Sequence, residues 1–187
     1  MPSRMPADAG ARVARLTGQI AALLPGRSLA PGVAAVRAMR GVGVIVAGTV
    51  GAGVGDFWRF DTLGQPMAWL GLTPPEHSGG ASVRRGGITR AGSGLARRAL
   101  TGGARRDRMQ ARVSPRLFAR LEALPQAVRD IAWKGHLRMC RCSRHLVAAG
   151  KAKVAVMTAM GCEMAGFIRA IARAATAPPG DERVRDG

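Results

Sequence analysis

Ser78 stands in the run Glu76-His77-Ser78-Gly79-Gly80, and the residues that follow it up to Arg90 include Arg84, Arg85 and Arg90 but no acid. A serine hydroxyl attacks phosphorus when one group takes its proton and other groups hold the charge that develops. The amides of Gly79 and Gly80 with Arg84, Arg85 and Arg90 suit the second task. His77, an immediate neighbour, is poorly placed for the first. Serines beside glycines also serve as plain turn residues. Two readings therefore stand: Ser78 as the nucleophile of a phosphoryl transfer, or a hydroxyl in a turn beside a basic helix.

The arginines reach well beyond this run. Between Arg84 and Arg120 eleven arginines stand against one acid, Asp107. The chain as a whole carries a formal charge of +18, its pI is near 11.9, and only Lys134, Lys151 and Lys153 are lysines. A guanidinium presents a planar fork of donors that matches phosphate, and contacts of this kind release counterions and so weaken with salt. Arg84, Arg85, Arg90, Arg97 and Arg98 are expected to bind DNA through its backbone. The alternative is a solvated basic face with no ligand.

Other chemistries fit less well. The run Gly41-Val42-Gly43-Val44 lacks the Gly-Lys-Ser/Thr ending of a phosphate-binding loop, although a tight turn at Arg40 to Gly43 offers backbone amides to a phosphate. Cys140 and Cys142 are two apart, which on a helix turns them about 200° from each other, away from a shared tetrahedral ion. His136 and His145 are expected to be solvent-facing or hydrogen-bonded. Asp56, Asp61 and Glu76 are too few and too scattered to gather a divalent ion, so no metal site and no cofactor are expected in this chain. Three cysteines and an N-terminal stretch with no apolar core suit a reducing cytoplasm, and the basic charge suits a nucleoid-associated protein there. The apolar runs 41–55 and 154–168 fall short of the ~20 residues a membrane span needs.

Helical elements must position these groups. Val13, Leu16, Ile20 and Leu23 mark an amphipathic helix over 11–24, closed by Pro25 and Gly26. A short helix over 33–39, the break at 40–43 and a glycine-weakened helix follow. Thr62 is expected to cap, and Gly71 to stop, a short helix; Pro74 and Pro75 then impose an extended segment. From Ser93 or Gly94 to about Met109 the pattern is helical, with Leu95, Ala99 and Leu100 inward and Arg97, Arg98, Arg105 and Arg106 outward. Two long helices with core residues over 128–146 and 157–171, divided by Gly150, suggest an antiparallel pair. No run alternates convincingly as a strand, so the expected fold class is all-α.

The ordered set Gly55-Asp56-Phe57, Arg59-Phe60, then Leu70-Gly71-Leu72, Pro74, Glu76-His77-Ser78, Gly80, then Arg84, Gly86-Gly87-Ile88-Thr89, Gly92, Arg97-Arg98 and Leu100 resembles the C-terminal domain of insertion-sequence transposases of the IS-one-ten type, especially the IS-eleven-eleven branch. The spacing agrees without a gap, and the likeness extends over roughly residues 10 to 175. The resemblance implies a DNA transposase or recombinase, RNA-guided in part of the family. It also implies an N-terminal RuvC-like domain whose four acids hold divalent metal (Mg), a helical linker, and a C-terminal serine that becomes covalently attached to DNA. On that pattern, residues 1–30 are the end of the linker and 33–124 the C-terminal domain with its serine and a segment like a helix-hairpin-helix. Residues 125–176 are the closing helical hairpin and 177–187 a disordered tail. Departures include Gly79 where the family has a second serine, Gly53 in place of an acid, Ser93 in place of asparagine, and the run Thr101 to Arg105. The resemblance thus leads to the expectation of a truncated copy, inactive alone, or a noncatalytic nucleic-acid-binding remnant. Expected partners are DNA, guide RNA, and a second copy or an intact transposase engaged through the N-terminal helix.

Overall fold

The computed structural model describes residues 5–24, 30–73, 76–79, 82–85, 87–108 and 110–176. Among these residues lie eight helices: α1 (Met5–Leu23), α2 (Ala30–Val36), α3 (Val44–Val54), α4 (Gly64–Trp69), α5 (Gly94–Ala104), α6 (Pro115–Glu122), α7 (Gln126–Ala148) and α8 (Lys153–Ala175). The fold is all-α in class, with one inserted antiparallel hairpin of β1 (Glu76–Gly79) and β2 (Ser82–Arg85).

Helix α8 is the axis of the core. Met160, Met164, Ile168 and Ile171 repeat every three or four residues and are buried completely, against α2, α4, α5 and α7. Burying each such side chain is worth roughly 1.5–3 kcal/mol. α7 presents Val128, Ala132, Gly135 and Met139 to the same core, and the absent side chain of Gly135 makes room for Met39 and Phe167. Outside that seam Arg138 grips Glu163 with two hydrogen bonds of 2.6 and 2.8 Å. Gly150, with φ +67°, turns the chain between the two helices. The run 154–168 looked too short to span a membrane. The helix it belongs to has 23 residues and is long and apolar enough by length and composition, but half of its most apolar stretch is buried inside the fold.

Several local expectations change. Leu95 is exposed rather than inward, because Ser93 caps α5 through Ala96 N and thereby turns Ala96 and Leu100 to the core. α5 ends at Ala104 and continues as a 3₁₀ turn, Arg105–Arg108. Thr62 does not cap α4; Gln65 Oε1 instead accepts from the amides of Asp61 and Thr62. Helix α6, which the sequence reading passed over, starts at Pro115 behind a Ser114 cap that accepts from Leu117 N, a start signal visible in the residue types. The hairpin was likewise passed over. Pro25, Gly26, Pro74, Pro75 and residues 177–187 lie outside the described residues. In α1, Ile20 sits beside Gly48 of α3, whereas Val13 and Leu16 remain exposed.

Candidate nucleic-acid interface

The hairpin that carries Ser78 is rooted by its flanks. Thr89 N donates to Thr73 O at 3.0 Å and Arg90 N to Gly71 O at 3.1 Å, which extends the strand pairing down into the helical body. Gly71 and Gly92 both have positive φ, and their chains pass so closely that a Cβ at Gly92 would lie 1.9 Å from Trp69 O. Only glycine permits that crossing. Within the hairpin the register sets Glu76 opposite Arg85, His77 opposite Arg84, and Ser78 opposite Val83. Ser78, Arg84 and Arg85 thus share one two-stranded element. Arg90 sits at its base with φ +56°, a left-handed conformation rare for a residue with a side chain.

Beside this root lies an open cleft of about 470 Å³ between α5 and the start of α8, lined by Leu72, Ile88, Arg97, Arg98, Arg105 and Lys153 among others, with no acid among the described residues of its wall. The structure separates the predicted arginines by what they do. Arg97 Nη1 donates to Leu70 O at 2.7 Å and Ala91 O at 3.2 Å, so this guanidinium ties the crossing chains to α5. Arg98 and Arg105 are exposed at the cleft. Lys153 is a wall residue that sequence reasoning missed, because only the packing of α8 on α5 brings it there. The one acid in the arginine-rich stretch is withdrawn from the surface: Asp107 is fully buried and its Oδ1 lies 3.1 Å from His136 Nδ1. His136 Nε2 in turn accepts from Arg40 N. With Nε2 accepting, the ring proton is on Nδ1 and is donated to Asp107. His136 is therefore buried and hydrogen-bonded, whereas His145 is exposed.

The Asp56 to Phe60 run serves the fold. Asp56 Oδ1 accepts from Trp58 N, Phe57 and Phe60 are buried, and Arg169 Nε of α8 donates to Phe60 O at 2.8 Å. Arg59 stacks over Phe60 and Trp69, and Arg173 over Trp58. Gly53, where the family pattern has an acid, abuts the Trp69 ring, which a Cβ would meet at 3.1 Å. Ser93 caps a helix as asparagine also can.

Among the described residues no three of His, Cys, Asp and Glu converge to hold a metal ion. Burial pushes the thiols of Cys140, Cys142 and Cys162 up from their ordinary range, which keeps them protonated and unreactive. What the arrangement can do is hold a polyanion beside a serine-bearing hairpin.

The sequence model described as "Transposase IS116/IS110/IS902 family" matches residues 33–120. The chain is 44% identical over 156 residues to "Putative transposase y4qE" of Sinorhizobium fredii (strain NBRC 101917 / NGR234), a match covering 83% of this chain and 40% of that protein. It is 41% identical over 95 residues to "Probable family 20 transposase" of Pseudomonas aeruginosa, over 51% of this chain and 27% of that protein. The chain spans about two fifths of the first relative's length and about a quarter of the second's.

Proposed function

We propose, from the likeness of residues 33–120 to the IS116/IS110/IS902 transposase family, that the chain is the strand-gripping part of a DNA transposase. Its basic face holds nucleic-acid backbone, and its hairpin brings Ser78 to the phosphodiester that is exchanged. The observation that carries this reading is the cleft of Arg98, Arg105 and Lys153 at the root of the Ser78 hairpin, which has no acid among its described lining residues, with Asp107, the one acid between Arg84 and Arg120, buried against His136. Arg84 and Arg85 of the hairpin and Arg90 at its base add positive charge to this part of the chain, and Arg97 ties the crossing chains to α5. Guide RNA presents the same phosphate chemistry and would use the same face.

The metal-binding acids belong, on this reading, to a RuvC-like domain outside residues 33–120. The residues described above bind and orient the strand. Val13 and Leu16, exposed on α1, offer an apolar stripe to a second copy or an intact relative.

Two measurements test the proposal. Affinity for a labelled mixed-sequence oligonucleotide should fall steeply with salt, by roughly 0.9 in log–log slope for each phosphate neutralised on a duplex; a flat response removes the binding role. Mixed with an intact relative that supplies the acidic domain, the chain should form a protein–DNA adduct stable to denaturation and lost in Ser78→Ala. An adduct that persists in Ser78→Ala assigns the attack to another group.

A further inference from the structure

A second concavity, of about 480 Å³, lies across the 3₁₀ turn from the first and is lined by Arg40, Gly41, Gly43, Arg106, Ser114, Arg116, Leu117 and Arg120. Four of these eight residues are arginines and none is acidic. Arg116 and Arg120 lie one turn apart on α6, where like charges repel. Arg120 Nη1 donates to Val42 O at 3.1 Å, and Arg40 Nη1 to Gln110 O at 2.7 Å, so two of the guanidinium groups are held in place. Arg106 and Arg116 are exposed at the rim.

The floor is braced from beneath. His136 accepts from the Arg40 amide with one ring nitrogen and reaches Asp107 with the other, so one buried imidazole fixes both Arg40 and the turn that carries Arg106. Gly41, with φ +80°, lies against Gly103 O at a distance that no Cβ allows, which locks the Arg40 turn onto α5. α3 opens at Gly43 with no side-chain cap, so its first amides add positive potential at the same wall. Burial, and to a lesser degree the neighbouring Arg37, pushes the Arg120 guanidinium below its ordinary range. Arg37 Nε is itself buried with no hydrogen-bond partner among the described residues.

Such a braced set of like charges is stabilised by an anion with several oxygens. Arg105 lines the first cleft and its neighbour Arg106 the second, so a strand leaving one passes over the turn into the other. We propose that the cleft of Arg40, Arg106, Arg116 and Arg120 is a second phosphate site, holding a phosphodiester of the strand that crosses the basic face, apart from the Ser78 hairpin. This site rests on the nucleic-acid-binding role proposed above. It would set the path and register of the strand and carry no base readout.

The test compares Arg106→Gln/Arg116→Gln with Arg98→Gln/Arg105→Gln and the unaltered chain, using one DNA and one RNA oligonucleotide of mixed sequence over a salt series. Loss of two phosphate contacts should lower the log–log salt slope of the Arg106/Arg116 variant by about two. An effect with only one of the two oligonucleotides supports the site and identifies the strand. Melting provides a second readout: at low salt inorganic tripolyphosphate should raise the melting temperature of the unaltered chain more than that of the variant. The variant alone should melt no lower than the unaltered chain, because repulsion is relieved. If the Arg98/Arg105 variant loses slope while the Arg106/Arg116 variant binds and melts like the unaltered chain, the second site is refuted and the binding role stands. A flat salt response of the unaltered chain removes both.

Discussion

Two short 3₁₀ turns, Phe57–Arg59 and Arg105–Arg108, both lie in arginine-rich surroundings, yet the arginines meet opposite fates. Around the first, Arg59 lies 4.9 Å from the Phe60 ring centre, Arg173 4.0 Å from that of Trp58, and Arg169 donates to the carbonyls of Phe60 and Asp61 just after the turn. Around the second, Arg105, Arg106 and Arg108 are exposed and the lone acid is turned inward to a histidine. The same residue type is mortar in one place and an open electrode in the other. The partner decides the role, and a count of arginines cannot.

The largest effect should come from the brace beneath the second turn. His136→Ala leaves the Asp107 carboxylate buried and unpaired, and should cost about 3 kcal/mol or more in urea unfolding. It should also loosen both clefts, weakening oligonucleotide binding in the fraction that remains folded. Stability unchanged within about 0.5 kcal/mol would show that the pair holds nothing in place. Arg169→Met comes next. It strips the charged donor from Phe60 O and Asp61 O and should cost on the order of 2 kcal/mol, while leaving the salt slope of binding alone. A slope change in Arg169→Met would erase the distinction between the two turns.

How much of this was legible in the sequence follows the range of the interactions. α7 and α8 announce themselves because Met160, Met164, Ile168 and Ile171 repeat at helical spacing, and the Ser93 cap is a local signal. The hairpin does not, because Glu-His-Ser-Gly and Ser-Val-Arg-Arg show no apolar alternation and their pairing is anchored at Thr73, Thr89, Gly71 and Arg90. Leu95 was misplaced because helical spacing alone does not fix the phase of a face near a cap. The basic belt was visible as composition. Its division was not: Arg97 finds its carbonyl 27 positions away at Leu70, and Asp107 finds His136 29 positions away. Lys153 and Arg40 join the basic clefts only through tertiary packing.

The comparison between the turns is tested most directly by removing two charges from each. Salt-dependent binding of one mixed-sequence oligonucleotide should be measured for Arg98→Gln/Arg105→Gln and for Arg59→Gln/Arg173→Gln, both well below their melting temperatures. The first pair should lose about two in log–log slope, and the second should keep the slope of the unaltered chain. Equal losses in the two variants would mean that binding senses only net charge, contradicting a built interface at the serine hairpin.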